Sequence, residues 1–286
     1  MPVAHERYYQ SEDGLRLFYR EYGDESAPMT VICLPGLTRN SRDFKGLARH
    51  LADHYRVLCP DLRGRGFSAW DPDYMNYHPG TYVRDILKLI ELTVPNTLAL
   101  VGTSLGGLVS SLLARHGVPG LRAVVLNDVG PELDPAGITR IAGYVGNRGP
   151  MESWDAAVAA VRAINEIALP DLDEAGWREF AEAVCREKED GSIAFDYDPA
   201  IGQAFRSGAG GVVDLWASFG ALRDVNCLLL RGEISDILSR VTVSKMRDLL
   251  PKLRVVEVPG RGHAPLLVEH ACKEAIDKMM SQAARD

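Results

Sequence analysis

The sequence predicts an α/β domain whose mostly parallel sheet is flanked by helices and interrupted once by a helical insertion. Three observations carry this. Short apolar runs alternate with helix-length segments through the first 130 residues; the alternation stops between Pro131 and Leu222; it resumes at Cys227. Continuous apolar runs mark strands covered on both faces, and parallel strands joined through helices wind in right-handed crossovers.

Taken in order, Leu15–Tyr22 alternates as a half-buried strand does, and Val31–Leu34 and Val57–Cys59 are short apolar runs ending at Pro-Gly and Pro-Asp. Thr97–Val101 and Ala123–Leu126 are continuous runs. Helix-length segments lie between them at about 41–53, 80–93 and 105–116. In the insertion, Trp154–Ala168 and Glu174–Lys188 carry apolar residues on one helical face, with Ser153 and Asp173 as N-caps. A Gly-rich stretch at 207–211 precedes Val212–Phe219. Cys227–Arg231 is then a strand, Val241–Leu250 a helix, Arg254–Val258 a strand and Leu266–Ala283 a closing helix. The expected division is a core of 1–130 and 223–286 with an all-helical insertion at 131–222.

Composition narrows the function. The net charge is −7 and no run of five like charges occurs, which argues against a nucleic-acid partner or an anionic membrane. No apolar stretch approaches the roughly 18 residues of a spanning helix, and the N-terminal residues are polar, against membrane insertion and Sec-type export. Five cysteines is an odd number, and Cys33, Cys59 and Cys227 sit inside apolar runs. They read as small buried hydrophobes in a reducing cytoplasm. No metal-ligand spacing occurs, so no cofactor or metal is expected. A homo-oligomer stays open.

Ligands of open α/β sheets bind beyond the carboxyl ends of the strands, where the suggestive motifs of this chain fall. Gly102-Thr103-Ser104-Leu105-Gly106 follows an apolar strand and opens a helix. It fits G-x-S-x-G, the nucleophile elbow, a turn so tight that small residues flank a Ser projecting at the helix N-terminus. Such a hydroxyl needs a base. Of seven histidines, His50, His54 and His116 fall near helix ends, and His5, His78 and His270 have no strand-end placement. His263, in Pro259-Gly260-Arg261-Gly262-His263-Ala264-Pro265, stands just after the last strand and is the expected base. The base needs a carboxylate to hold its tautomer. Asp236, after the penultimate strand, is the first choice; Asp128, ending the strand after the elbow helix, and Glu233, in the loop of Asp236, are alternatives. An oxyanion would be met by the N–H of Leu105 and, from the first strand–helix loop, of Leu37, with Gly36 permitting the turn.

With Asp61-Leu62-Arg63-Gly64-Arg65-Gly66-Phe67-Ser68, similar to a D-x-R-G-x-G-x-S turn, these motifs resemble the cap-bearing bacterial members of the α/β-hydrolase family over essentially the whole chain. The resemblance implies the α/β-hydrolase fold, a helical cap inserted after the sixth core strand, the order Ser…Asp…His, and structural roles for Asp61 and Arg63. One departure is Pro35-Gly36 where many relatives carry His-Gly, which removes any role of that histidine. Ser104, where dehalogenase- and epoxide-hydrolase-like relatives carry Asp, points to attack on a carbonyl. The leading expectation is therefore a serine hydrolase cleaving a carboxylic ester or lactone through an acyl-enzyme, with a small-molecule acyl substrate. The alternatives are a carbon–carbon bond hydrolase of a vinylogous diketone acid, with Arg39 receiving the carboxylate, and a triad-bearing small-molecule sensor. Trp154, Trp177 and Phe180 are read chiefly as packing residues; Trp216 and Phe219, where the chain re-enters the core, are the pocket candidates.

Overall fold

The apolar runs fold as strands of one eight-stranded sheet in the computed structural model, which describes residues 3–146, 149–209 and 214–285. Before the insertion come β1 (His5–Gln10), β2 (Arg16–Tyr22), β3 (Thr30–Leu34), α1 (Lys45–Leu51), β4 (Arg56–Asp61), α2 (Pro79–Thr93), β5 (Leu98–Thr103), α3 (Leu105–His116) and β6 (Leu121–Asn127). Next follow α4 (Pro135–Tyr144), α5 (Trp154–Asn165), α6 (Glu174–Val184), β7 (Cys185–Glu187), β8 (Ile193–Phe195), α7 (Ala200–Ser207) and α8 (Leu215–Gly220). The chain closes with β9 (Asn226–Gly232), α9 (Arg240–Leu249), β10 (Arg254–Val258) and α10 (His270–Ala283).

The sheet order is β1-β2-β4-β3-β5-β6-β9-β10. Only the β1–β2 and β2–β4 pairs are antiparallel. Side chains alternate across each strand, so every central strand feeds two cores. On one face Ile32, Leu100, Val124 and Leu229 pack with Ile86 of α2, Val109 of α3, Phe219 of α8 and Met246 of α9. On the other, Val31, Val101, Val125 and Leu230 pack with Leu47 of α1 and Ile276 and Met279 of α10. All five cysteines are buried free thiols. No helix among the described residues is long and apolar enough to cross a membrane.

Three differences from the sequence reading have physical causes. The first strand is β1, whose HERYYQ is exposed except at Tyr9 and so shows no apolar run; counting it makes β6 the sixth strand, the point after which the insertion was expected. The insertion is not all helical. Ser153 and Asp173 do cap their helices, accepting from Ala156 N–H (3.2 Å) and Gly176 N–H (2.8 Å), but α6 ends at Val184 and the chain enters the short antiparallel pair β7–β8. Ile193 of β8 then joins Val161, Trp177 and Phe180 in a separate small core. Finally, α8 packs on α3, so its residues belong to the layer of the main sheet. Of the Gly-rich stretch, residues 210 and 211 lie outside the described residues.

Candidate active site

The elbow is built by close approach. An added Cβ at Gly106 would stand 2.0 Å from the Leu34 carbonyl oxygen, and one at Gly102 would stand 2.4 Å from the backbone of Gly106 and Gly107. Only glycines let α3 begin this near β5 and β3. Ser104, between strand and helix, is held at φ 52° and ψ −116°, a strained conformation for a residue with a Cβ. Its amide donates to the Asn127 carbonyl at 3.0 Å.

The Ser104 hydroxyl lies 2.8 Å from Nε2 of His263, and Nδ1 of the same ring lies 2.8 Å from Oδ2 of Asp128. A carboxylate can only accept, so Nδ1 carries the proton and Nε2 is left to accept from the serine. The loop bearing His263 is tied down at several points. Gly262 N–H donates to the Ala168 carbonyl of the insertion (2.8 Å), Gly260 N–H to the Glu233 carboxylate (2.9 Å), and Asn127 Nδ2 donates to the Pro265 carbonyl (2.9 Å) and to Thr103 Oγ1 (3.0 Å).

The carboxylate that meets His263 is that of Asp128, one strand away from Asp236, the first choice from the sequence. Asp128 directly follows β6, between the strand that carries Ser104 and β9. Its backbone adopts φ 53°, its N–H donates to Leu230 (2.8 Å), and its fully buried carboxylate receives Gly232 N–H at 2.9 Å and the Ser235 hydroxyl at 2.6 Å besides the imidazole. Asp236 turns the other way into a two-pronged pair with Arg140 of α4, at 2.6 and 2.9 Å. Partial burial raises the Asp236 pKa, but the hydrogen bonds and charge of Arg140 outweigh it and leave it lowered. Glu233, the other alternative, is spent on Gly260. Asn127 and Ser235 were not singled out in the sequence. The only signal was their position: one ends a buried strand beside the elbow, the other lies between two carboxylates.

Leu37 and Leu105, the donors expected from the sequence, both lie beside Ser104: Leu105 follows it in the chain and Leu37 lines the same cavity. Leu105 is the first residue of α3, whose N–H has no acceptor within the helix. The Leu37 loop lies against the elbow, since a Cβ at Gly36 would stand 3.8 Å from that of Ser104. The D-x-R-G-x-G-x-S turn braces this end of the sheet. Asp61 receives Ser41 N–H (2.6 Å) and Phe67 N–H (2.8 Å), and Arg63 binds Asp85, Asp71 and Asp13.

Ser104 and His263 open onto a cavity of about 110 Å³ between the core and the insertion. Its walls are mostly apolar, with Leu37, Ile141, Ile164, Leu169 and Phe180 among them. Arg39 and Tyr144 line it as well. Arg39 is already engaged, donating to both oxygens of Asp43 (2.7 and 2.9 Å) and lying 4.1 Å over the Phe180 ring. Trp216 and Phe219 do not line the cavity. They belong to α8, which packs on α3 in the main core; Phe219 is fully buried there. The aromatic contribution comes instead from Phe180, Tyr144, Phe195 and Tyr197.

Residues 31–277 match the model of the alpha/beta hydrolase family, and the chain belongs to that family. Among curated proteins it is 36% identical to a 3-hydroxybutyrate-oligomer hydrolase of Cupriavidus necator, over 90% of this chain and 89% of that one. It is also 31% identical to a 2-(acetamidomethylene)succinate hydrolase of Mesorhizobium japonicum, over 87% and 85%. A crystal structure of an alpha/beta hydrolase from Novosphingobium aromaticivorans superposes with a TM-score of 0.92 at 44% identity, covering 99% of both chains. The protein is a hydrolase with the alpha/beta hydrolase fold.

Proposed function

We propose that the chain is a serine hydrolase cleaving a carboxylic ester or lactone through an acyl-enzyme, with Ser104, His263 and Asp128 as its triad and the 131–214 segment as its cap. The observation that carries this reading is the hydrogen-bonded run from Ser104 through His263 to Asp128 at the mouth of an apolar cavity. His263 Nε2 takes the Ser104 proton as Oγ attacks the carbonyl carbon. The buried Asp128 carboxylate, kept in place by Gly232 and Ser235, stabilises the imidazolium. The N–H groups of Leu37 and Leu105 receive the developing oxyanion. His263 then gives the proton to the departing alkoxide and accepts one from water; the resulting hydroxide attacks the acyl carbon, and His263 returns that proton to the Ser104 oxygen as the acid is released.

The small apolar cavity favours a short aliphatic acyl group, and the name of the Cupriavidus relative points to esters of 3-hydroxy acids. The carbon–carbon hydrolase alternative needs a cation for the substrate carboxylate; pairing of Arg39 with Asp43 weighs against it. A sensor would bind its ligand and hydrolyse it little.

The test is a panel of p-nitrophenyl esters from acetyl to octanoyl, a lactone, a 3-hydroxybutyrate dimer and a diketone acid, run with the parent and Ser104→Ala. Ester turnover by the parent is expected to fall on the order of 10⁶-fold in the variant, as for the nucleophile of a serine protease. Residual turnover within tenfold of the parent would sink the assignment, and single-turnover binding without release would favour the sensor.

A further inference from the structure

Two arginines of one turn are satisfied in opposite ways. Arg63 is surrounded by three carboxylates, Asp13, Asp71 and Asp85. Arg65, two residues on, is fully buried, and all the partners it binds are neutral. Its Nε and Nη2 both donate to the Leu37 carbonyl, at 2.9 and 2.8 Å. Its Nη1 donates to the Arg63 carbonyl (2.6 Å) and to Tyr82 Oη (3.0 Å), and the guanidinium lies 4.7 Å over the Tyr82 ring. Burying a cation without an anion is costly, so the position demands an explanation that packing alone does not supply.

Resting on the reading of Leu37 as an oxyanion donor, we propose that Arg65 is the positioning residue of the oxyanion loop. The two peptide planes that meet at the Leu37 Cα are both anchored. The plane containing the Leu37 N–H is held through its other end, where the Gly36 carbonyl accepts from Arg39 N–H at 3.1 Å. The next plane is held by Arg65 through the Leu37 carbonyl. Fixing both planes fixes φ and ψ of Leu37, and hence the aim of its N–H before any charge develops. With no carboxylate partner among the described residues, the Arg65 charge stays unneutralised on the Leu37 carbonyl, and a fixed charge is worth most where water is scarce.

The test compares the parent with Arg65→Met, Arg65→Lys and Tyr82→Phe, each checked for folding by circular dichroism. The probes are p-nitrophenyl butyrate, an aliphatic trifluoromethyl ketone that forms an oxyanion on the serine, and the matching alcohol, which does not. In Arg65→Met, kcat is expected to fall about 10- to 100-fold, below the 10²–10³ for outright loss of a donor, with KM within about threefold. Ketone affinity falls by the same factor and alcohol affinity holds. Arg65→Lys should lose less than the Met variant, and Tyr82→Phe about threefold in kcat; these two decide the matter if the Met variant does not fold. A kcat within twofold of the parent in the folded Arg65 variants, or equal losses for ketone and alcohol, overturns the proposal. A Ser104→Ala variant that still turns over would instead overturn the reading it rests on.

Discussion

The loops that follow β6 and β9 each offer an aspartate near one imidazole, and the fold uses them for different ends. Asp128 sits at the end of a strand in the middle of the sheet, is fully buried, and takes up backbone and side-chain donors from the neighbouring loop before it meets His263. Asp236 lies beyond the second of those strands, keeps about a third of its side chain exposed, and is claimed by Arg140 of the insertion. A carboxylate that must orient a ring and face an imidazolium benefits from rigid donors and exclusion of water. One that joins two parts of the chain needs only a partner. The lesson is that standing at the carboxyl end of a strand does not by itself decide which aspartate meets the imidazole; the donors already waiting there do.

The sharpest way to break this comparison is Asp128→Asn. Asparagine tolerates the positive φ and can still accept from Gly232, but it no longer enforces the Nδ1–H tautomer. Turnover of an ester such as p-nitrophenyl butyrate is expected to fall about 10⁴-fold, the size of the same change in a serine protease. If Asp236→Asn proves the more damaging of the two, the roles drawn here are reversed. Ser235→Ala removes one of the donors to Asp128 while leaving Gly232 and His263 in place. Its kcat should drop about tenfold with KM unchanged, since a lost hydrogen bond to a charged group is worth roughly 1.5–3 kcal/mol and only part of that bears on the transition state. A loss seen in KM alone would mean that Ser235 acts on binding instead.

The same contrast explains what the sequence disclosed. The elbow was legible because its glycines answer a local steric need, and His263 because it alone among the histidines follows a strand end. The acid was ambiguous, since Asp128 and Asp236 both stand at such ends. What separates them, the φ of 53° at Asp128 and the competition from Arg140 for Asp236, arises only when distant segments meet. Strand β1 escaped notice for a simpler reason: an exposed edge has no apolar pattern to display. The pair β7–β8 is too short for periodicity to register. Trp216 and Phe219 were misplaced because a large side chain near a chain re-entry can face either the cavity or the sheet, and α8 lies on the sheet side, packed on α3.

The smallest effect expected belongs to Asp236→Asn. Activity at neutral pH should stay within about threefold of the parent, because the carboxylate touches neither Ser104 nor the proton-bearing side of His263. Stability should change instead, with a defined pH dependence. Arg140 lowers the Asp236 pKa below its ordinary 3.8, despite the opposing effect of burial, so the ionised pair contributes stability above that value and loses it as pH falls through the folded-state pKa. For a partly exposed pair the contribution is about 0.5–1 kcal/mol. Thermal unfolding of parent and variant should therefore differ at pH 7, and the difference should shrink as pH falls below 3.8 and through the lowered folded-state pKa. A difference that grows toward low pH would mean that the Arg140 pair is not what Asp236 contributes.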